Sequence, residues 1–237
     1  MANAHDLLMA KRAAMMGKSG YTAKDYVQDG LIAMWDGIEN AGWGVHDPNA
    51  TVWKDLVGSL ELDINSADDK NVLAVPGKKS LHIGIGDEFT IEYSHFHTFY
   101  TFSTYPIRTP VQLNNESGTR VAAVSYEIGN PNILGRYTYG TNSSGYDLNV
   151  NIDSTNDFRI GATYDGSVFS GFSYGDLKTQ KYPSSGAGSV STGVFFDVPS
   201  ATISDTRFRF IRIYNRALSA SEIAANYEID KARFGLT

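Results

Sequence analysis

Several groupings of residues in this sequence have types and spacing that could do chemistry. Glu-x-Asp-x-x-Glu on one strand puts alternate carboxylates on one face, as nucleophile, helper and acid/base for cleaving a glycosidic bond. The nearest matches are Glu61-Leu62-Asp63 and Glu228-Ile229-Asp230, but Ser66 and Arg233 stand where the last Glu belongs. A retaining mechanism needs two carboxyls about 5 Å apart. Neither stretch supplies them, so no catalytic residue is assigned and the chain is read as a non-enzyme. Gly171-Phe172-Ser173-Tyr174-Gly175 has the letters of a nucleophile elbow. An elbow joins a strand to a helix, whereas both flanks here read as β. His95-Phe96-His97 places two imidazoles on one side of a strand and needs a third ligand to chelate a metal. Between Tyr93 and Phe99 these histidines read instead as part of a partly buried aromatic face. Asp147, Asn149, Asn151 and Asp153 alternate with Leu148, Val150 and Ile152. Calcium takes about six to eight oxygens wrapped by a loop, and a straight strand cannot wrap an ion. The alternation reads as a polar outer face, with Asp47, Asn49 and the carbonyls around Pro48 as a looser calcium option.

Sugar recognition is the chemistry that the remaining residues fit. Sugars present apolar C–H faces and hydroxyl edges, so their sites combine exposed aromatics with amides and carboxylates. Trp43 stands in Gly42-Trp43-Gly44, beside Val45-His46-Asp47, in a stretch that reads as a loop. Tyr137, Tyr139, Asn142 and Tyr146 form a second aromatic-amide grouping. The candidate ligand-binding residues are therefore Trp43, His46, Tyr137, Tyr139, Asn142 and Tyr146. Trp35 and Trp53 lie in apolar strands and read as core, as do most of the 14 Tyr.

The elements that must position these residues are strands. Leu31 to Trp35, Val52 to Leu56, Ser80 to Ile85, Phe89 to Phe102, Arg120 to Ile128, Ile133 to Tyr139 and Tyr146 to Ile152 are apolar or alternating runs broken by turn residues. Phe158 to Tyr164 ends at Asp165-Gly166, a hairpin turn signal, and Val168 to Tyr174 follows. Gly193 to Val198 and Arg207 to Tyr214 complete the set. In the last strand Phe208, Phe210, Ile211 and Ile213 carry apolar bulk, while Arg207, Arg209 and Arg212 point largely the other way. Ser219, with Glu222 three residues on, opens a short C-terminal helix with the spacing of a capping box. About a dozen strands without a 20–50-residue repeat mean a β-sandwich or barrel, not a solenoid or propeller.

The 237 residues allow one or two domains. The unbroken run of strands favours one, 21–237, after an N-terminal helix and linker over 1–20. Four of five Met lie before Gly17, and Met suits apolar contacts, so this helix is a candidate for contact with a partner or a second copy. The absence of Cys excludes disulfide scaffolds, Cys-based metal sites and thiol nucleophiles. The net charge of −6 argues against a nucleic-acid partner. No apolar run reaches the roughly 18 residues that membrane insertion needs. Lys11-Arg12 interrupts the only short apolar run that could act as an export signal.

Three stretches together resemble the laminin G-like, concanavalin A-type jelly-roll family. They are Phe89 to Tyr93, Ile160 to Ser167, and Ile211 to Ser219 followed by Glu222-Ile223. The likeness covers roughly Gly30 to Phe234. It implies an all-β fold, a two-sheet antiparallel jelly-roll sandwich with short N- and C-terminal helices. It also implies a carbohydrate or protein ligand, with calcium at the sheet rim as the one cofactor in view. Asp29 to Ile38 and Asn49 to Leu56 resemble jelly-roll proteins of bacterial and prophage genomes. That implies a phage structural or tail-associated protein, made in the bacterial cytoplasm and carried in the virion. Its expected partners are a host surface glycan and other virion proteins, or its own copies through the N-terminal helix. A bacterial cell-surface or extracellular location is the alternative. The alternative functions are a purely structural decoration protein and, last, a jelly-roll glucanase.

Overall fold

The computed structural model describes residues 20–64, 66–67, 73–75, 79–85, 88–96, 107–114, 120–128, 133–139, 146–147, 157–181, 194–198 and 206–236. The expected N-terminal helix over Met1 to Gly17 lies outside them. In chain order the strands are β1 (Leu31–Asp36), β2 (Val52–Lys54), β3 (Glu61–Asp63), β4 (Ser66–Ala67), β5 (Leu73–Val75), β6 (Lys79–Ile83), β7 (Phe89–Phe96) and β8 (Ile107–Asn114). They continue as β9 (Arg120–Ile128), β10 (Ile133–Tyr139), β11 (Tyr146–Asp147), β12 (Asp157–Tyr164), β13 (Val168–Ser173), β14 (Asp176–Lys181), β15 (Val194–Val198) and β16 (Thr206–Tyr214). One α-helix, α1 (Ala220–Phe234), follows β16.

The protein is an all-β sandwich of antiparallel sheets with a C-terminal helix. The larger sheet runs β14-β13-β12-β7-β16-β5-β4, with β1 also paired to β16. The smaller runs β11-β10-β9-β8-β15-β6, and β2 and β3 form a separate ribbon. Successive side chains on a strand face opposite ways. On β7, Phe89, Ile91 and Tyr93 turn inward, joining Phe158, Ile160, Ile211 and Ile213 of the same sheet against Val111, Leu113, Ala122 and Val124 of the other. Tyr93 Oη donates to Val124 O at 3.0 Å, so this ring spans the core and satisfies its hydroxyl. Trp35 and Trp53 are buried, as expected, and Trp53 Nε1 donates to Asp36 O.

Strands absent from the sequence reading have physical reasons for escaping it. β8 contains Pro110, which removes a donor and hides a strand. The chain accommodates it with a shift of register between Arg108 and Val111. β14, Asp-Leu-Lys-Thr-Gln-Lys, is a polar edge strand, and charge on an edge blocks pairing with other molecules.

The outer face of the larger sheet is itself covered. Arg212 does point away from the sandwich core, but not to water: α1 covers that face, and Arg212 is fully buried beneath it. Phe210 and Tyr214 are also buried there, so apolar and charged groups share one face. A register shift between Phe208 and Phe210 puts these two rings in different clusters. Structure begins just after the expected linker. Thr22 caps a 3₁₀ turn (Ala23–Asp25), and Ala23 and Tyr26 pack with Leu218 and Ile223 around α1.

Candidate functional site

The loop from Gly37 to Ala50 carries two of the expected ligand-binding residues, and its backbone is tied at nearly every turn. Asp36 Oδ1, at the end of β1, accepts from Ile38 N (2.9 Å) and Glu39 N (3.0 Å). Arg233 of α1 holds the same carboxylate with Nη1 at 2.6 Å and reaches Glu39 with Nη2 at 3.0 Å. Glu39 then accepts from Ala23 N and from Gly44 N, each at 2.7 Å. Asn40 closes the loop across its base, donating to Asp47 O and accepting from Asp47 N, each at 2.8 Å. Above that clasp Gly42 and Val45 form a bridge. Gly44 adopts φ +68°, a left-handed conformation that favours glycine.

This clasp leaves apolar groups facing water. Trp43 is 36% exposed and Val45 50%. Lys24 Nζ stands 5.5 Å from the Trp43 ring centroid, which limits the ring's swing. A rigid exposed aromatic, set by a loop already satisfied within itself, can stack on a flat apolar ligand face without first being ordered. His46 does different work. Its Nδ1 lies 2.9 Å from Ile38 O, so the half-buried ring ties down the loop. Asp47 Oδ1 accepts from Asn49 N at 2.8 Å, so the looser calcium grouping is engaged in closing its own turn. Among the described residues no cluster of three His, Asp or Glu stands ready for a metal.

The second expected grouping sits on the smaller sheet. Tyr137 of β10 and Tyr146 of β11 are directly paired across the strands, and Tyr139 pairs with Ala122 of β9. Asn142 lies outside the described residues, as do His97, Asn149, Asn151 and Asp153. Trp43 therefore lies in a loop that follows β1 of the larger sheet, whereas the tyrosines lie on the smaller sheet.

One of the carboxylates with catalytic spacing is structural, while Glu61, Asp63 and Glu228 are exposed. Asp230, from the second acidic motif, is fully buried beside Glu92. Arg212 bridges the two. Its Nη1 and Nη2 hold Asp230 at 2.9 and 2.7 Å, and its Nε donates to Glu92. Arg159 Nη2 also donates to Glu92, and its Nε lies 3.0 Å from Asp230. Tyr26 Oη (2.7 Å, to Asp230) and Asn226 Nδ2 (3.0 Å, to Glu92) complete the set. Burial raises the Glu92 carboxyl, but Arg159 and Arg212 outweigh it and hold it below the usual range. At Asp230 burial prevails and the carboxyl is raised. Two acids already neutralised by two guanidiniums, with no water on them, are not poised for acid/base work. The Ser173 elbow fails on geometry too: Ser173 ends β13, and a turn at Tyr174-Gly175 leads into β14, not into a helix.

Sequence reasoning missed Glu39, Asn40 and Arg233, whose partners lie far along the chain or in backbone groups. It also missed the buried ionic cluster. A signal for the cluster existed: Glu92, Arg159 and Arg212 each stand between apolar residues within a strand.

No protein-family model matches this chain, and no curated protein does. Solved structures resemble it in fold. Trypanosoma rangeli sialidase in complex with sialic acid aligns with a TM-score of 0.59 at 12% identity, over 98% of this chain and 39% of the sialidase. The ligand-binding domain of botulinum neurotoxin serotype D, in complex with N-acetylneuraminic acid, aligns with a TM-score of 0.58 at 15% identity, over 84% of this chain and 51% of that one. This chain thus corresponds to 39% of the sialidase's length. At these identities the likeness shows the shared fold.

Proposed function

We propose that this protein is a non-catalytic recognition module that binds a glycan through Trp43. The observation that carries this reading is the clasped loop. Asp36, Glu39, Asn40 and Arg233 hold an exposed tryptophan between two glycines, on a loop whose backbone is already ordered before binding. Two further points support it: similarly folded proteins have been solved with sialic acid, and the buried acids of the larger sheet are already paired. The setting we propose is a phage structural or tail-associated protein whose ligand is a host surface glycan, with the virion as its location. That part rests on the sequence resemblance of Asp29 to Ile38 and Asn49 to Leu56 alone.

A glycan array carrying both sialylated and neutral glycans tests the binding reading. Binding is expected, with Trp43→Ala weakening it by about tenfold or more, the usual scale for a buried aromatic anchor. No bound glycan overturns the reading and leaves the purely structural alternative; a variant that binds as the wild type does overturns the role of Trp43. Release of a fluorogenic aglycone from a sialoside or glucoside by the wild type overturns the non-catalytic part.

A further inference from the structure

Four large apolar side chains are exposed among the described residues: Tyr21, Trp43, Val45 and Val57. Three of them gather at one place. Trp43 and Val45 share the turn closed by the bridge between Gly42 and Val45. Glu39 brings Tyr21 to the same turn, because its Oε1 accepts from Ala23 N and its Oε2 from Gly44 N, each at 2.7 Å. One carboxylate thus pins the chain two residues after Tyr21 to the residue between Trp43 and Val45. Lys24 Nζ, 5.5 Å from the Trp43 ring centroid, spans the same junction. Single apolar residues on a surface need no explanation, but a cluster with a polar rim marks a place where something docks.

The chain itself supplies an occupant. The described residues begin at Gly20, one residue before this patch, and residues 1–19 lead into it. Their sequence holds Leu7-Leu8-Met9-Ala10 and Ala13-Ala14-Met15-Met16. Met adapts its shape to irregular apolar surfaces. Gly20 adopts φ +74°, a left-handed conformation in which a glycine can turn the chain back without strain. Reach is not limiting, since ten extended residues span up to about 33 Å. Charge agrees with the pairing. Residues 1–19 carry Lys11, Arg12 and Lys18 against Asp6, a net +2, and the rest of the chain carries −8. A tether this short gives an effective concentration on the order of millimolar. That favours the chain's own segment over a second copy in dilute solution.

We propose that residues 7–16 of this same chain dock on the patch of Tyr21, Trp43 and Val45, and shield Trp43 until a ligand displaces them. The shielding rests on the reading of Trp43 as the glycan contact; the docking does not. The contact takes the apolar groups of both partners out of water. A ligand then meets an affinity reduced by the fraction of molecules in which the patch is free.

The chain has no Cys, so Ala10→Cys gives a single attachment point for a nitroxide on the whole protein. In isotope-labelled protein the nitroxide is expected to broaden the NMR signals of the Trp43 indole N–H and the Val45 amide. Leu7→Ser, Leu8→Ser, Met15→Ser and Met16→Ser together should remove most of that broadening, while the amide shifts of β7 and β16 stay as in the wild type. Val45→Asp, at an exposed position, should do the same with the native segment in place. Broadening that is equal in all three proteins overturns the docking. So does broadening that appears when a nitroxide-bearing chain without isotope is mixed with an isotope-labelled chain without nitroxide, because it puts the segment on a second copy. On the glycan array the four-Ser variant is expected to bind about threefold or more tighter than the wild type. Equal binding overturns the shielding. An array on which neither protein binds overturns the glycan role of Trp43 and leaves the docking result standing.

Discussion

Glu92 has no contact with water and meets two guanidiniums and an amide. Such a group stabilises only while all its partners are present, because one charge left alone in the interior keeps its full desolvation penalty. Glu92→Gln is expected to destabilise the fold by about 3–5 kcal/mol, read as a lower urea midpoint with an unchanged slope. A loss below about 1 kcal/mol would mean that water reaches Arg159 and Arg212. At the loop, Asn40→Ala removes both bonds that close the base beneath Trp43. It should lower glycan affinity several-fold while Trp43 itself is intact, and titration calorimetry would show the loss as entropic. The exposed ring at Trp43 was legible from its flanking glycines, because turn chemistry is local. Asn40 and Glu39 were not, because their partners are backbone groups of Asp47, Ala23 and Gly44 that only the fold brings near.

α1 shows which part of an element a sequence can reveal. Its start was legible, since Ser219 and Glu222 exchange both bonds of a capping box. Ser219→Ala is expected to cost about 1 kcal/mol, measured by thermal or urea unfolding. The burden of the helix was not legible: it buries Asn226, Asp230 and Arg233, each polar in sequence and each paired across to a strand or loop. Glu222 also bonds Arg216, and that bond, first among its causes, lowers its carboxyl from 4.5 to about 2. A carboxyl depressed on folding stabilises above its unfolded value and loses that contribution as pH falls through the folded one. The stability gap between wild type and Glu222→Gln should thus be full above about pH 5 and shrink as pH falls from 4.5 towards 2. A gap that is flat across this window would show that Arg216 does not depend on the charge.

At the scale of the molecule, the sandwich followed from alternation and turn signals, and its sheet order did not. Pairing β7 between β12 and β16, or β1 on β16, depends on packing between distant segments and leaves no local mark. Stability should follow that order. The central amides of β7 and β16 are expected to exchange with solvent only on global unfolding, and those of the edge strand β14 much faster. Equal protection across the sheet would contradict the assigned topology.

β16 pairs with β1, β5 and β7, and α1 follows it in the chain. On the ribosome the chain emerges in the opposite order of need. β1 leaves the exit tunnel with no strand to meet, β5 has only the two-residue β4, and Glu92 and Arg159 appear before Arg212 and Asp230 exist. The larger sheet therefore cannot be completed until β16 is translated. Its early strands wait with open edges, the state most exposed to misassociation, until the last strand is made.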